Sequence, residues 1–211
     1  FQSQVHLAQH QRRIAEQHAV NTEILRSVLP AELVRVSSAG RVGVCHESQD
    51  ATVGVTQVYN FAEWSAQHLE TSVISILHHL MCVLDDGVAN HDNVSRAMTY
   101  GDAYVFCSGL LEEHPGHVEA AQNFAVWQLR AVRAFADHGG ADTAGVAHVV
   151  PVQLCIGVCT GAVTGGTVGS SALRYILAGP AFEGAQHNAR QCEANCVLIT
   201  CAPLSAAALA G

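Results

Sequence analysis

Lysine is absent from this sequence of 211 residues, and its ten basic side chains are all arginine. Chemistry that depends on a lysine amine is therefore excluded. Charged residues of both signs make up only 13% of the chain, and the acidic excess gives a formal net charge of -8. Because nucleic-acid binding relies on clustered arginine and lysine, the lack of a basic stripe argues against nucleic acid as a partner.

Two further signals are missing, namely CxxC pairs and long apolar runs. The eight cysteines include no CxxC, and several lie in apolar, strand-like runs where a free thiol packs as a small hydrophobic group. The sequence therefore predicts a reducing, cytosolic compartment. No apolar run reaches the roughly 18 to 20 residues of a membrane span, and no signal peptide is visible. Since the chain begins at Phe1 rather than Met, a membrane anchor elsewhere in the parent protein stays open.

Residues 1–29 predict an N-terminal helix. The segment contains neither glycine nor proline and carries apolar residues at loosely helical spacing. Leu7, Ile14 and Val28 fall on a seven-residue repeat, but Asn21 interrupts it. A helix packed on its own domain and a coiled coil are equally compatible with this pattern. The remainder, residues 30–211, is interpreted as one domain.

The rest of the chain alternates between strand-like and helix-like segments. Its order predicts an α+β domain, a ferredoxin-like βαββαβ sandwich with further elements behind it. Periodicity and turn residues predict strands over 51–59, 94–99, 103–107, 152–159, 174–177 and 196–201, and helices over 61–84, 117–137 and 181–194. Residues 85–92 read as a turn and residues 160–171 as a glycine-rich connection.

Three segments in consistent order carry a more specific signal. Residues 99–105 (TYGDAYV) lead into Ser-Gly-Leu at 108–110, residues 154–161 (LCIGVCTG) are followed by GTVG at 166–169, and Arg-Tyr stands at 174–175. Together with a Leu-Pro that follows the N-terminal helix, this set resembles the catalytic domain of the class III adenylate and guanylate cyclases. The resemblance covers roughly residues 25–201.

The resemblance implies a site for two divalent metal ions, Mg²⁺ or Mn²⁺, held by paired carboxylates around a nucleoside triphosphate. Asp102 in the 94–107 hairpin matches one carboxylate. The other position, at the end of the first strand, is occupied by Gln57. Because hard cations gain most from charged oxygen ligands, the neutral Gln57 predicts much weaker binding of a metal pair.

The resemblance also implies nucleotide contacts at the same end of the domain. Asn60 stands where the family has a glycine before Phe61, and asparagine tolerates the left-handed conformation better than most residues. Gly101 occupies the hairpin turn. At the two positions that select the purine base this chain has Met98 and Pro180, which cannot read a base edge.

The resemblance places the pair that stabilises the transition state, an Asn and an Arg four residues apart, at Glu183 and His187. A glutamate adds negative charge where phosphate charge must be stabilised, which opposes catalysis. Arg190, one turn further along the helix, could replace His187 only if the helix were shifted.

Other noteworthy residues have plainer interpretations. Cys155 and Cys159 are an even number of residues apart and therefore share one face of a strand, which favours the core over a redox role. The glycines at 161, 165, 166 and 169 fit a turn better than a phosphate cradle, although both remain open. Trp64 and Trp127 are interpreted as packing residues. The histidines at 78, 79, 114 and 117 lack a recognisable zinc spacing.

These expectations lead to three functional hypotheses. The first is a degenerate cyclase-homology domain that acts as a regulatory or dimerising module. The second is the metal-side half of a heterodimeric cyclase, and the third is a sensor that binds a nucleotide or another small anion. All three predict a cytoplasmic domain that forms a homodimer or a heterodimer with another cyclase domain.

Overall fold

The computed structural model describes residues 45–138, 151–169 and 174–201. The predicted helix over 1–29, the Leu-Pro after it and most of the loop predicted at 138–147 lie outside these ranges. The described chain contains β1 (Cys45–Val58), α1 (Phe61–Ala66), α2 (Glu70–Ala89), β2 (Ser95–Tyr100), β3 (Ala103–Ser108), α3 (His117–His138), β4 (Leu154–Val168), β5 (Arg174–Ala178), α4 (Pro180–Gln191) and β6 (Cys196–Cys201).

One mixed sheet forms the centre of the fold. Its strands run in the order β2-β3-β1-β4-β5, and β6 also pairs with β4. β1 and β4 are antiparallel along nearly their whole length, from Cys45 opposite Gly166 to Val58 opposite Leu154. The other edge of β4 pairs with β6, in parallel, along its first half and with β5 along its second half. The predicted α+β class is confirmed.

Helices cover both faces of this sheet. On one face, α2 and α3 contribute Leu80, Leu84 and Phe124 to a core that includes Tyr104 and Phe106 of β3. On the other face, α4 packs its small residues Ala181, Ala185 and Ala189 against β1 and β4. Strands buried on both faces read as continuous apolar runs, which is why β3 and the first part of β4 were recognisable in the sequence.

The long helix predicted over 61–84 is two helices. The chain turns at Gln67, whose N–H donates to Trp64 O, and α2 starts after Leu69 in an extended conformation. The turn lets Trp64 enter the core at 5% exposure while Leu69 stays 71% exposed. Continuous helical periodicity did not reveal this break, because it depends on where the tryptophan packs.

The turn predicted at 85–92 is also wrong in its first half, because α2 continues to Ala89. Asp85 accepts hydrogen bonds from Arg96 (3.1 Å) and from the Tyr104 hydroxyl (2.9 Å), which ties the end of α2 to β2 and β3. Gly87 packs against Trp127 so closely that a Cβ at this glycine would lie 2.1 Å from the indole ring. Tertiary contacts therefore override the local Asp-Asp-Gly turn signal.

The glycine-rich connection predicted at 160–171 is strand as far as Val168. β4 continues because Gly165 leaves room for Tyr175 of β5, whose hydroxyl oxygen lies 2.1 Å from where a Cβ would stand. Gly161 has a φ of 155° and pairs with Ala51 beside a register shift in β1. The turn interpretation is therefore wrong for Gly161, Gly165 and Gly166, which lie within β4, and Gly165 permits close packing against Tyr175.

Helix α2, Glu70–Ala89, is long and apolar enough to cross a membrane when judged by length and composition alone. The sequence prediction concerned unbroken apolar runs, and α2 is not one, because charged residues and histidines interrupt it. One such helix is weak evidence for a span. Val73, Leu80, Leu84 and Gly87 are buried in the fold, and the other residues of α2 are half-buried or exposed.

Candidate active site

The end of β1 and the β2–β3 turn form the first part of the candidate site. Asp102, in this turn, is half-buried and accepts a hydrogen bond from the Val58 N–H at 3.1 Å. Gln57, the residue before Val58, is also half-buried and follows Thr56, the last β1 residue that pairs with β3. The fold thus brings together the two positions that the sequence named as candidate metal ligands.

The local sequence explains why Asp102 sits there. Gly101 adopts a φ of 57°, and a Cβ at this position would have no neighbour within 4 Å. The turn therefore requires a residue in the left-handed backbone conformation, but the space that a side chain at this position would occupy is open. After the turn, all six residues of β3 are buried and five of them, Tyr104 to Ser108, pair with β1, which fixes the position of the hairpin against the sheet.

Asn60 and Phe61 follow directly after β1. Asn60 has φ 46° and ψ 47°, so it takes the left-handed conformation expected of the glycine that it replaces. It stands at the N-terminus of α1, and its side chain reaches Glu63 at 3.5 Å. Phe61 is half-buried and stacks on Trp64 with a centroid distance of 6.0 Å. The left-handed turn is intact, and the phenyl ring serves packing.

These residues do not fit a pair of divalent cations. Asp102 offers one carboxylate, already bonded to Val58 N–H, and Gln57 offers only a neutral amide oxygen. Within the described ranges, no group of three or more His, Cys, Asp or Glu side chains is arranged so that it could hold a metal ion. Two doubly charged ions would therefore share a single negative ligand, which leaves most of their charge uncompensated.

Met98 lies on β2 and lines an open cavity of about 350 Å³ between β2 and β5. Its neighbours there include Arg96, Tyr100, Arg174 and Ile176. Neither arginine was a candidate site residue in the sequence analysis, where Arg174 and Tyr175 entered only as part of the family resemblance. Tyr175 is buried, whereas Arg174 is exposed. The cavity can hold an apolar or planar group, but Met98 supplies no donor or acceptor for a base edge.

The remaining candidates lie on α4. Pro180 is its first residue and is exposed, as are Glu183 and His187 further along the helix. The Glu183 N–H donates to Gly179 O in the first turn at 3.0 Å. One contact links this helix to the hairpin, because Gln186 Nε2 donates to the Tyr100 hydroxyl at 2.9 Å. Glu183 and His187 are four residues apart and share the outward face of α4, and neither lines the cavity between β2 and β5.

The register of α4 is fixed by its inward side. Asn188 is 3% exposed, and its Nδ2 donates to Val158 O (2.9 Å) and to Thr200 Oγ1 (2.8 Å). A Cβ on Gly157 would lie 2.2 Å from both Ala185 O and Ala189 N. A shift that brought Arg190 to the place of His187 would break both arrangements. The alternative register with Arg190 is therefore not the one that this structure adopts.

A group of cysteines lies behind Gln57. Cys155 of β4 is the cross-strand partner of Gln57 and is 5% exposed. Burial, together with the neighbouring Cys192, Asp102 and Cys196, raises the pKa of the Cys155 thiol to about 11. The shared face predicted for Cys155 and Cys159 is confirmed by their burial on the α4 side. The position of Cys192 and Cys196 beside Cys155 was not predicted from the sequence.

Comparison with known proteins identifies the fold and the family. The family model described as the adenylate and guanylate cyclase catalytic domain matches residues 44–203. Among solved structures, a non-canonical dimeric guanylyl cyclase domain of a fusion protein from the aquatic fungus Blastocladiella emersonii superimposes with a TM-score of 0.63. That alignment has 24% sequence identity and covers 72% of this chain and 80% of the other.

Curated relatives agree with this match. A receptor-type guanylate cyclase of Caenorhabditis elegans is 29% identical over 171 residues, which is 80% of this chain and 12% of the relative. A membrane guanylyl cyclase of Dictyostelium discoideum is 23% identical over 175 residues, which is 82% of this chain and 11% of the relative. The chain thus spans about a tenth of the length of these two proteins. It belongs to the adenylate and guanylate cyclase catalytic domain family.

Proposed function

We propose that this domain is a degenerate member of its family, which serves as a regulatory or dimerising module in cyclic-nucleotide signalling rather than as a cyclase on its own. One observation carries the proposal. At the end of β1, the carboxylate of Asp102 is bound by the Val58 N–H, and the residue next to Val58 is the neutral Gln57. Class III cyclase domains generally use divalent metal ions, and this donor set provides one charge where the family chemistry uses two.

The outward face of α4 supports the same conclusion. The reaction builds negative charge on phosphate oxygens, which positive or hydrogen-bond-donating groups must stabilise. Glu183 places a carboxylate on the exposed face where the reaction requires a positive or hydrogen-bond-donating group. The imidazole of His187 is a weaker substitute for the guanidinium of an arginine. Met98 and Pro180 in turn provide no polar atom for base selection. Three separate functions of a cyclase site are therefore weakened together.

The direct test is an activity assay of the purified chain. We expect no measurable cyclic AMP or cyclic GMP from ATP or GTP with either Mg²⁺ or Mn²⁺. Binding of Mn²⁺, followed by electron paramagnetic resonance, should be weak in the wild type and tighter in Gln57→Asp. Production of either cyclic nucleotide by the unmodified chain as a homodimer would contradict the proposal.

A reversion variant makes this test decisive, because a badly folded preparation would also be inactive. The five changes Gln57→Asp, Met98→Lys, Pro180→Asp, Glu183→Asn and His187→Arg restore the groups that the family resemblance calls for. We expect this variant to gain adenylate cyclase activity above background. The matched control adds Asp102→Ala to the same variant and should abolish the gain. A reversion variant that folds but stays inactive would show that the scaffold itself has lost the function.

A second candidate is the metal-side half of a heterodimeric cyclase. The hydrogen bond from Val58 N–H to Asp102 favours it, because it keeps the carboxylate positioned at the hairpin turn. Mixing this chain with a cyclase domain that carries the base-selecting and transition-state groups, but lacks its own metal carboxylates, should then yield activity. Asp102→Ala in this chain should remove that activity, whereas Glu183→Ala should leave it unchanged.

The proposal also defines a setting for the domain. We infer a cytosolic location, supported by the eight cysteines, none of which forms a disulfide in the structure.

Exposed apolar side chains such as Ile176, Leu198 and Ile199 provide area for pairing with another cyclase domain. The segment 1–29 would transmit signals into that dimer. Sedimentation of the chain with and without residues 1–29 tests this role, since deletion should weaken dimerisation.

A further inference from the structure

Three cysteines that are distant in sequence converge at the start of β4 and β6. Cys155 and Cys196 are direct partners in the parallel pairing of these strands. Cys192 follows the last turn of α4, and the backbone N–H groups of Ile156 and Leu198 donate to its sulfur. Cys192 and Cys196 both contribute to the raised pKa of the Cys155 thiol, in keeping with the direct pairing of Cys155 and Cys196 across the two strands.

The pairing of Cys155 and Cys196 places their side chains on the same side of the sheet. Residues directly opposite each other on adjacent strands point to one face. For Cys155 this is the face that α4 covers, because a Cβ on Gly157, two residues further along β4, would meet the backbone of α4. On β6, Thr200 lies four residues after Cys196 and accepts a hydrogen bond from Asn188 of α4.

The spacing of the strands suits a covalent bridge. Adjacent strands lie about 4.8 Å apart, which falls within the range of about 4.4 to 6.8 Å between Cα atoms of a disulfide. β6 is an edge strand with mostly exposed residues, so small adjustments of Cys196 toward Cys155 disturb little packing. Cys196 is exposed and Cys155 is buried. An oxidant in solution can therefore reach Cys196 first.

We propose that Cys155 and Cys196 form a reversible regulatory disulfide, with a small-molecule disulfide such as oxidised glutathione as the oxidant. The Cys196 thiolate attacks one sulfur of the oxidant and expels one glutathione thiolate, which leaves a mixed disulfide. The Cys155 thiolate then attacks the Cys196 sulfur and expels the second glutathione thiolate. Two electrons pass from the two cysteines to the oxidant, and the two thiol protons end on two molecules of reduced glutathione.

The bridge would connect the edge of the sheet to the candidate site. On one edge of β4, Cys155 pairs with Cys196 of β6, and on the other edge it pairs with Gln57 of β1. Asp102 contributes to the raised pKa of the Cys155 thiol. A disulfide would link β6 to β4 next to Gln57 and Asp102. The inference does not depend on whether the domain is catalytic, because it concerns only the thiols and the strand pairing.

The test uses the full chain in glutathione buffers of increasing oxidised fraction. We expect the loss of two of the eight free thiols, a linked peptide that contains Cys155 and Cys196, and full reversal by dithiothreitol. Cys196→Ser and Cys155→Ser should each abolish the linked peptide. The matched control is Cys201→Ser, because Cys201 is exposed on the same strand but has Thr160 as its partner. This variant should behave like the wild type.

Several outcomes would overturn the proposal. A peptide that links Cys196 to Cys192 would show that the proposed partner of Cys196 is wrong. Glutathione that stays attached to Cys196 would show that the Cys155 thiol cannot reach the mixed disulfide. Loss of two thiols on oxidation of Cys196→Ser, as in the wild type, would likewise show that a different pair is oxidised. A thermal melt of each reduced variant guards against misfolding, since all should unfold near the wild-type temperature before oxidation.

Discussion

The two sides of α4 differ in what they contact. Toward the sheet, Ala185, Ala189 and Asn188 are buried and fit closely against Gly157 of β4. Toward solvent, Glu183 and His187 are exposed and stand where the family resemblance implies an asparagine and an arginine. The inward residues hold the helix on the sheet, whereas the outward residues take no part in that packing.

The physical reason is the difference in what each side chain contacts. A buried position must match its neighbours in volume and hydrogen bonding, so that most changes cost stability. An exposed position on a helix has few neighbours, and substitutions there usually leave the free energy of unfolding within about 0.5 kcal/mol. Substitutions on the outward face of α4 are therefore expected to leave the fold intact.

The strongest test of this comparison is Gly157→Val. A Cβ at this position would lie 2.2 Å from Ala185 O and Ala189 N, both of them backbone atoms that cannot rotate away. We expect α4 to be forced off the sheet, with a loss on the order of 3 kcal/mol or more in the free energy of unfolding. Urea denaturation followed by circular dichroism measures this loss.

Gly101→Ala is the matched control for that variant. Gly101 is also a glycine, but a Cβ there would meet nothing within 4 Å, so only its φ of 57° opposes the change. We expect a loss of roughly 1 kcal/mol, because alanine in a left-handed conformation costs about that much. Equal losses in the two variants would mean that close contact with α4 is not what Gly157 provides.

A smaller effect is expected for Asn188→Ala. The side chain donates to Val158 O and Thr200 Oγ1 from a buried position, so its removal leaves buried acceptors without these donors. A loss of about 1 to 3 kcal/mol should follow in the same denaturation experiment. His187→Ala, one residue away on the exposed side, is the control. If the two variants were equally stable, the hydrogen bonds of Asn188 would contribute nothing net.

The sequence was sufficient for the framework of this fold. β2, β3, β5 and β6 were predicted within a residue or two, because short apolar runs bounded by Gly, Asp or Pro mark them clearly. Two of the errors share one cause. The end of α2 at Ala89 and the extension of β4 to Val168 both depend on a glycine that accommodates a distant aromatic ring, Trp127 or Tyr175. Local turn signals carry no information about such partners.

The candidate site was predictable only in part. Asp102 and Gln57 could be placed together because a family resemblance fixed their spacing, and the hydrogen bond through Val58 agrees with that placement. The cluster of Cys155, Cys192 and Cys196 could not be foreseen, since it depends on the parallel register of β4 and β6. Pairing between strands that are distant in sequence is what single-sequence periodicity leaves undetermined.

The smallest effect is expected for the double change Glu183→Asn and His187→Arg on the outward face of α4. Both side chains are exposed, so the free energy of unfolding should stay within about 0.5 kcal/mol of the wild type. Removal of a carboxylate and addition of a guanidinium should nevertheless turn this face from repelling to attracting anions. We therefore expect tighter binding of a fluorescent triphosphate analogue at low salt, and weaker binding as salt screens the charge. An unfolding midpoint shifted as far as that of Asn188→Ala would contradict the division between the two sides of the helix.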